Sequence, residues 1–132
     1  MTITILLDRD LEGHQEFLEA GLRETGWDQD LVIEFKRLRD FGLPDNYPDR
    51  DIWRFVQQHR LWLITNNRND EDETSLQATI ERENTPDSLP VITTSDKEKL
   101  RIAEYRQKAA TSLVEIIIYP EKNLGSGRLY IP

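Results

Sequence analysis

The sequence predicts an α/β fold: a three-layer α/β/α sandwich around a mainly parallel central sheet. Three observations predict it. Short apolar runs rich in β-branched residues recur along the chain, with helix-like amphipathic stretches between them. The first run, Ile3-Thr-Ile-Leu-Leu7, is largely apolar rather than alternating, as in a strand covered on both faces. Strand–helix alternation then implies crossover connections, which lay helices over both sides of one sheet. No linker or internal repeat divides residues 1–132, so a single domain is expected.

Ile3–Leu7 is the first strand, stopped by Asp8. From Leu11 to Arg23 the apolar residues Leu11, Phe17, Leu18 and Leu22 recur at helical spacing, and the helix ends near Gly26. Leu31–Phe35 is a second strand. Asp40–Pro48 holds Gly42, Pro44, Asn46 and Pro48 and reads as a loop. A short helix opens at Asp49 or Asp51, just after Pro48, and runs to about Gln58 with Ile52, Phe55 and Val56 inward. Leu61–Thr65 is the third strand, followed by the polar stretch Asn66–Glu73; Ser75–Arg82 is helical. Leu89–Thr94 is the fourth strand. Ser95 or Asp96 caps a long helix from Lys97 to about Ile118 that buries Ala103, Ala110, Leu113, Val114 and Ile117. Its end, Val114–Tyr119, is β-branched enough to suit a strand as well. Arg128–Ile131, after Gly125-Ser-Gly127, is a terminal strand or a docking tail.

Composition narrows the function classes. Lys+Arg 17 against Asp+Glu 25 leaves a formal charge of −8, which opposes field-driven binding to nucleic acid, general DNA binding included. The absence of cysteine excludes disulfides, thiolate–zinc sites and thiol nucleophiles. No apolar run reaches the ~20 residues of a membrane span, and no basic region precedes the first apolar run, so a cytoplasmic protein without membrane association is expected.

In a parallel sheet, ligands bind beyond the carboxyl ends of the strands, and polar residues following each strand are therefore candidates. Strand one delivers Asp8 and Asp10. The third delivers Thr65, Asn66 and Asn67, with Asn69 and Asp70 beyond; the fourth delivers Thr94, Ser95 and Asp96. Asp49 or Asp51 joins them from the helix after Pro48. Such an oxygen-rich set suits Mg²⁺ or Mn²⁺. Each residue also has a plain role available, since Asp and Asn after strands cap the next helix; Asp96 in particular reads as a cap. Asp8 is the exception, because a carboxylate at the end of a doubly buried strand needs a reason to be there. Arg68 is the best phosphate-contact candidate, whereas Arg50 is expected to neutralise its acidic neighbours. His14 and His59 are isolated and expected to pack or face solvent; Trp27, Trp53 and Trp62 are expected in the core.

Ile5-Leu-Leu-Asp8-x-Asp10-Leu11, then Pro48-Asp49-Arg50-Asp51-Ile52, then Leu61-Trp-Leu-Ile-Thr65-Asn-Asn-Arg-Asn-Asp70, resemble in order and spacing the small PIN-like proteins of the toxin type. The match covers about the first 70 residues; beyond them only the order of strands and helices agrees. The resemblance implies a three-layer α/β/α fold and a metal-dependent ribonuclease, with single-stranded RNA as substrate. Carried over, Asp8 is the first metal carboxylate and Asp49 or Asp51 the second, while Asn67 and Asn69 stand where the family has aspartates, and Arg9 stands where it has glutamate. Two amides in place of carboxylates remove two charges, so the implied activity is weakened or lost unless Asp10, Asp70 or Asp96 compensates. Arg68 and Thr65 would contact phosphate. Two alternatives stand beside this. One is a non-catalytic PIN-like scaffold for RNA, a protein partner or a second copy as a homodimer. The other is a haloacid-dehalogenase-like phosphatase with Asp8 as nucleophile, Asp10 as acid/base and Thr65 binding phosphate; Glu12 and the missing late acidic motif depart from that family's pattern.

Overall fold

A computed structural model describes residues 2–66 and 75–132. The sheet grows on both sides of β1 (Thr2–Leu7). With β2 (Val32–Lys36), β3 (Trp62–Asn66), β4 (Val91–Thr94) and β5 (Arg128–Ile131), the spatial order is β2-β1-β3-β4-β5, and every neighbouring pair is parallel. Helices α1 (Gln15–Glu24), α2 (Asp49–Gln58), α3 (Leu76–Glu83) and α4 (Ala103–Ile117) cover it. Side chains alternate across a strand, and the two cores divide accordingly. Ile3, Ile5, Leu7, Trp62, Ile64 and Ile92 pack with Leu18 and Leu22 of α1 and with Leu113, Val114 and Ile117 of α4. Leu6, Leu63 and Val91 pack with Ile52, Trp53 and Val56 of α2 and with Leu76 and Ile80 of α3. The α/β/α sandwich expected from the sequence is therefore present, with α1 and α4 on one face and α2 and α3 on the other.

Several boundaries differ from the expectation. A 3-10 turn over Arg9–His14 precedes α1, so Leu11, fully buried, lies outside the α-helix. The expected helix from Lys97 to Ile118 is two pieces: a 3-10 turn over Lys97–Arg101, then α4. Ile102 between them is extended (φ −88°, ψ 122°), which breaks the helical path; Ala103, expected inside, is exposed. Residues 114–117 complete α4 rather than forming a strand. Leu89 and Pro90 are buried but precede β4, which begins at Val91. Arg128–Ile131 completes the protein's own sheet, beside β4. Trp53 and Trp62 are core residues, and Trp27 packs at the core margin.

The connections are not uniform in hand. The chain steps outward from β1 to β2 with α1 on one face, then back through β3 to β4 with α2 and α3 on the other; these three crossovers share one hand. From β4 to β5 it continues in the same direction, but α4 lies on the α1 face. That crossover has the opposite hand. Strand twist favours one hand in about 98% of such units, so both kinds cannot follow it. The return into β5 runs close under the start of β4. Gly125 (φ +81°) donates its N–H to the Ser88 carbonyl at 2.9 Å, and a Cβ there would lie 3.0 Å from Pro86 Cα. Asn84 Nδ2 donates to the Gly125 carbonyl at 2.8 Å, holding the loop.

Helices α1 and α4 touch closely at Gly21. A Cβ there would lie 2.6 Å from the Arg106 carbonyl oxygen and 3.2 Å from Ala110 Cβ. Beside that crossing the Arg106 guanidinium grips Glu24, with Nε to Oε1 at 2.8 Å and Nη2 to Oε2 at 2.5 Å. The hydrogen bond from Arg106 holds the Glu24 carboxyl below its ordinary value of 4.5. Arg54 grips Glu83 in the same way between α2 and α3, again lowering the carboxyl.

Two outcomes are expected. Gly21→Ala gains up to ~1 kcal/mol in helix propensity. The carbonyl it meets is backbone and cannot swing aside, so the overpacking cost of roughly 1–3 kcal/mol wins. Urea unfolding should show a lower midpoint. A lowered carboxyl contributes stability that is present above the ordinary value and lost as pH falls through the folded value. Between neutral pH and pH ~3, the melting temperature of the wild type should therefore fall further than that of a Glu24→Gln, Glu83→Gln double variant, which lacks both carboxyls.

Candidate functional site

The strand order creates a switch point. Connections leave β1 toward β2 on one face and return to β3 on the other, the arrangement at which parallel sheets bind ligands beyond the carboxyl ends of their strands. Asp8 stands there, 2% exposed. Its backbone remains in the sheet, with its N–H donated to the Ile64 carbonyl at 3.0 Å. The side chain turns the chain upward: Oδ1 accepts from the Arg9 N–H at 2.9 Å, and the Asp8 carbonyl accepts from Leu11 N–H at 2.8 Å. Asp8 is thus the cap of the 3-10 turn as well as the end of the strand.

Register decides what lies beside it. Leu7 pairs with Ile64, so one step further Asp8 neighbours Thr65, and Thr65 pairs with Thr93. The Thr65 and Thr93 hydroxyls are 3.1 Å apart, both buried. Asp8, Thr65 and Thr93 therefore form a polar row across three strands, on the face covered by α2 and α3. Both helices run antiparallel to the strands, so their N-termini, with partial positive charge, lie at this same edge. The loop before α2 is drawn toward β1 by the Arg9 guanidinium, which donates to the Asp45 carbonyl. Asp49 and Asp51 occupy the first turn of α2, both half-buried, behind Pro48. The charge of Asp51 also reaches Arg54, whose own partner is Glu83.

Other expected residues have structural tasks. Asp96 Oδ1 accepts from Glu98 N–H at 3.1 Å, so it caps the 3-10 turn after β4. The hydroxyls of Thr94 and Ser95 donate to the Pro132 and Ile131 carbonyls, tying β4 to β5. Asp10 follows Asp8 in the 3-10 turn, and its carbonyl accepts from Lys97 Nζ at 3.2 Å. His14 is buried against Phe17, and His59 is exposed on the Phe55 ring. Asn67, Arg68, Asn69 and Asp70 lie outside the described residues. Among the described residues, no three acidic or histidine side chains gather closely enough to hold a metal ion. Thr93 and Lys97 carry no sequence signal for the places they hold here, since the first depends on inter-strand register and the second on a contact between distant segments; Arg9, beside Asp8 in the sequence, reaches the Asp45 carbonyl.

No family model, curated protein or solved structure matches the chain.

The Thr65–Thr93 pair is testable by a double-mutant cycle. Thr65→Val leaves the Thr93 hydroxyl buried without this partner, at a cost of roughly 1–3 kcal/mol. Thr93→Val should cost a similar amount, and the double variant less than the sum, by about 1 kcal/mol of coupling in urea unfolding.

Proposed function

We propose that the sheet edge beyond β1 and β3 is the site of a divalent-metal phosphodiesterase of the PIN-like type, acting on single-stranded RNA with reduced activity. The observation that carries the reading is Asp8: a buried carboxylate at the switch point, in register with Thr65 and at the sheet edge where the helices of the overlying layer begin. The donors available at this edge are all oxygens, which fits Mg²⁺ or Mn²⁺, ions that take one or two carboxylates and complete their shell with water. Asp8 would hold the ion together with Asp10, Asp49 or Asp51. When bound, the ion would lower the pKa of its water and offset charge on the phosphate. The chain's own part is positional. Asp8 is locked at its backbone and at one carboxylate oxygen, so the other oxygen is held in a defined place. The Thr65 hydroxyl, accepting from Thr93, would donate to a phosphate oxygen, and the N-termini of α2 and α3 favour an anion at the same edge. Hydrolysis adds water to phosphorus and breaks one P–O bond, the leaving oxygen taking the proton.

Asn caps a turn as well as Asp, so Asp8→Asn should keep the wild-type melting temperature in the absence of metal. Millimolar Mn²⁺ should raise the wild-type melting temperature by several degrees and leave Asp8→Asn unmoved. Slow Mn²⁺-dependent cleavage of single-stranded RNA, lost in Asp8→Asn, completes the expected pattern. Intact RNA together with no Mn²⁺ shift in either protein would discard the reading in favour of a non-catalytic scaffold. Hydrolysis of a simple phosphomonoester instead of RNA would move the assignment to a phosphatase.

A further inference from the structure

Among the described residues, strand β2 is an edge of the sheet, with β1 as its one strand neighbour. Edges left open invite pairing with another chain, and proteins usually blunt them with proline, bulges, lysines or a covering helix. β2, Val32-Ile-Glu-Phe-Lys36, has no proline or glycine and pairs with β1 in unbroken register. Val32 is 55% exposed, one of the largest apolar exposures among the described residues. Glu34 and Lys36 stand on the same face, 3.9 Å apart, with side chains 51% and 41% exposed. A lone lysine would guard the edge. A glutamate two residues before it makes the edge complementary to itself.

We propose that β2 is a homodimer interface, in which the β2 strands of two copies pair antiparallel about a two-fold axis through Phe35. That register sets Glu34 opposite the partner's Lys36 and Lys36 opposite the partner's Glu34, giving two equivalent cross-strand ion pairs. Moving the axis to Glu34 would put like charges face to face. On the other face, the register carries the partner's Arg37 to Ile33. Ile33 lines a groove of about 300 Å³ between β2 and α1, whose charged lining residues are Glu19, Asp28 and Arg23. The partner's Arg37 is thus brought, twice, to a groove lined by one more acid than base. The opposite sheet edge lacks this pattern: β5 is Arg-Leu-Tyr-Ile, with one charge and nothing of opposite sign to meet it. The net charge of −8 on each copy opposes association at long range, so local pairing at β2 has to supply the specificity.

Sedimentation equilibrium on the whole chain tests this. Wild-type protein should reach twice its 15.5 kDa mass as its concentration rises toward about 100 µM. Glu34→Lys and Lys36→Glu, each placing like charges opposite one another twice, should each weaken the dimer about tenfold or more. The double variant exchanges the two charges and should restore it. Both side chains are substantially exposed, and circular dichroism checks that each variant is folded. The chain has no cysteine, so Val32→Cys carries a single spin label, and the two labels of the dimer should lie about 20 Å apart, six residues of strand. A wild-type monomer throughout the range overturns the proposal. So does a dimer indifferent to both single charge reversals, a folded double variant that stays monomeric, or a label separation far from 20 Å.

Discussion

The carbonyl oxygen of Arg106 occupies the space where any residue other than glycine at position 21 would place its Cβ. Much of the molecule depends on that close approach. It lets α4 lie against α1, on the face where Leu18, Leu22, Leu113, Val114 and Ile117 bury one another over the central strands. With α4 held there, the chain must reach β5 by a crossover opposite in hand to the other three. Such a path runs against the tendency of twisted strands, and specific contacts hold its end. Gly125 passes against the Pro86 backbone, Asn84 and Ser88 bond to it, and Thr94 and Ser95 tie β4 to β5. Glu24 and Arg106 clamp the same helix pair from outside.

The two faces are unequal partners in the candidate site. The α1–α4 face supplies the 3-10 turns, with Lys97 bonded to the Asp10 carbonyl across them. The α2–α3 face brings two helix N-termini to the same sheet edge as Asp8, Thr65 and Thr93. Asp8 belongs to both, because its backbone continues β1 while its side chain begins the turn. A residue with those obligations is held in one place whether or not anything binds it. The excess of acid in the chain is spread widely: Glu24, Glu83 and Asp96 serve clamps and a cap. Little of the −8 is therefore committed to one cluster among the described residues.

The strands were legible because a doubly covered strand must be apolar along its length, and Ile3–Leu7, Leu61–Thr65 and Leu89–Thr94 are. The start of α3 was legible where the Ser75 hydroxyl bonds a free N–H, and Asp96 was legible as a cap, although it opens a 3-10 turn rather than the expected helix. The split at Ile102 was not, because the apolar spacing of Leu100, Ala110 and Leu113 is compatible with one continuous helix. Tertiary packing of α4 on α1, rather than local preference, sets where the true helix begins. In the candidate site, Asp8 stood out as a charge ending an apolar run. Its neighbour Thr93 did not, since nothing local says which strand lies beside β3 or in what register.

Alone, the sequence left open whether 114–119 is helix or strand and whether Arg128–Ile131 is strand or tail. It determined the first four strands, the helical stretches between them, the layered α/β/α architecture, and Asp8 as the residue most in need of an explanation. These follow from hydrophobic periodicity and from the cost of burying charge, both of which act residue by residue. Only the tertiary structure decided the strand order, the odd hand of the last crossover, the Asp8–Thr65–Thr93 row and the exposure of β2 at the edge. Those depend on which similar apolar surfaces find each other. Apolar attraction is not directional, so close steric fits such as Gly21 against Arg106, and buried polar pairings such as Thr65 with Thr93, have to choose among them.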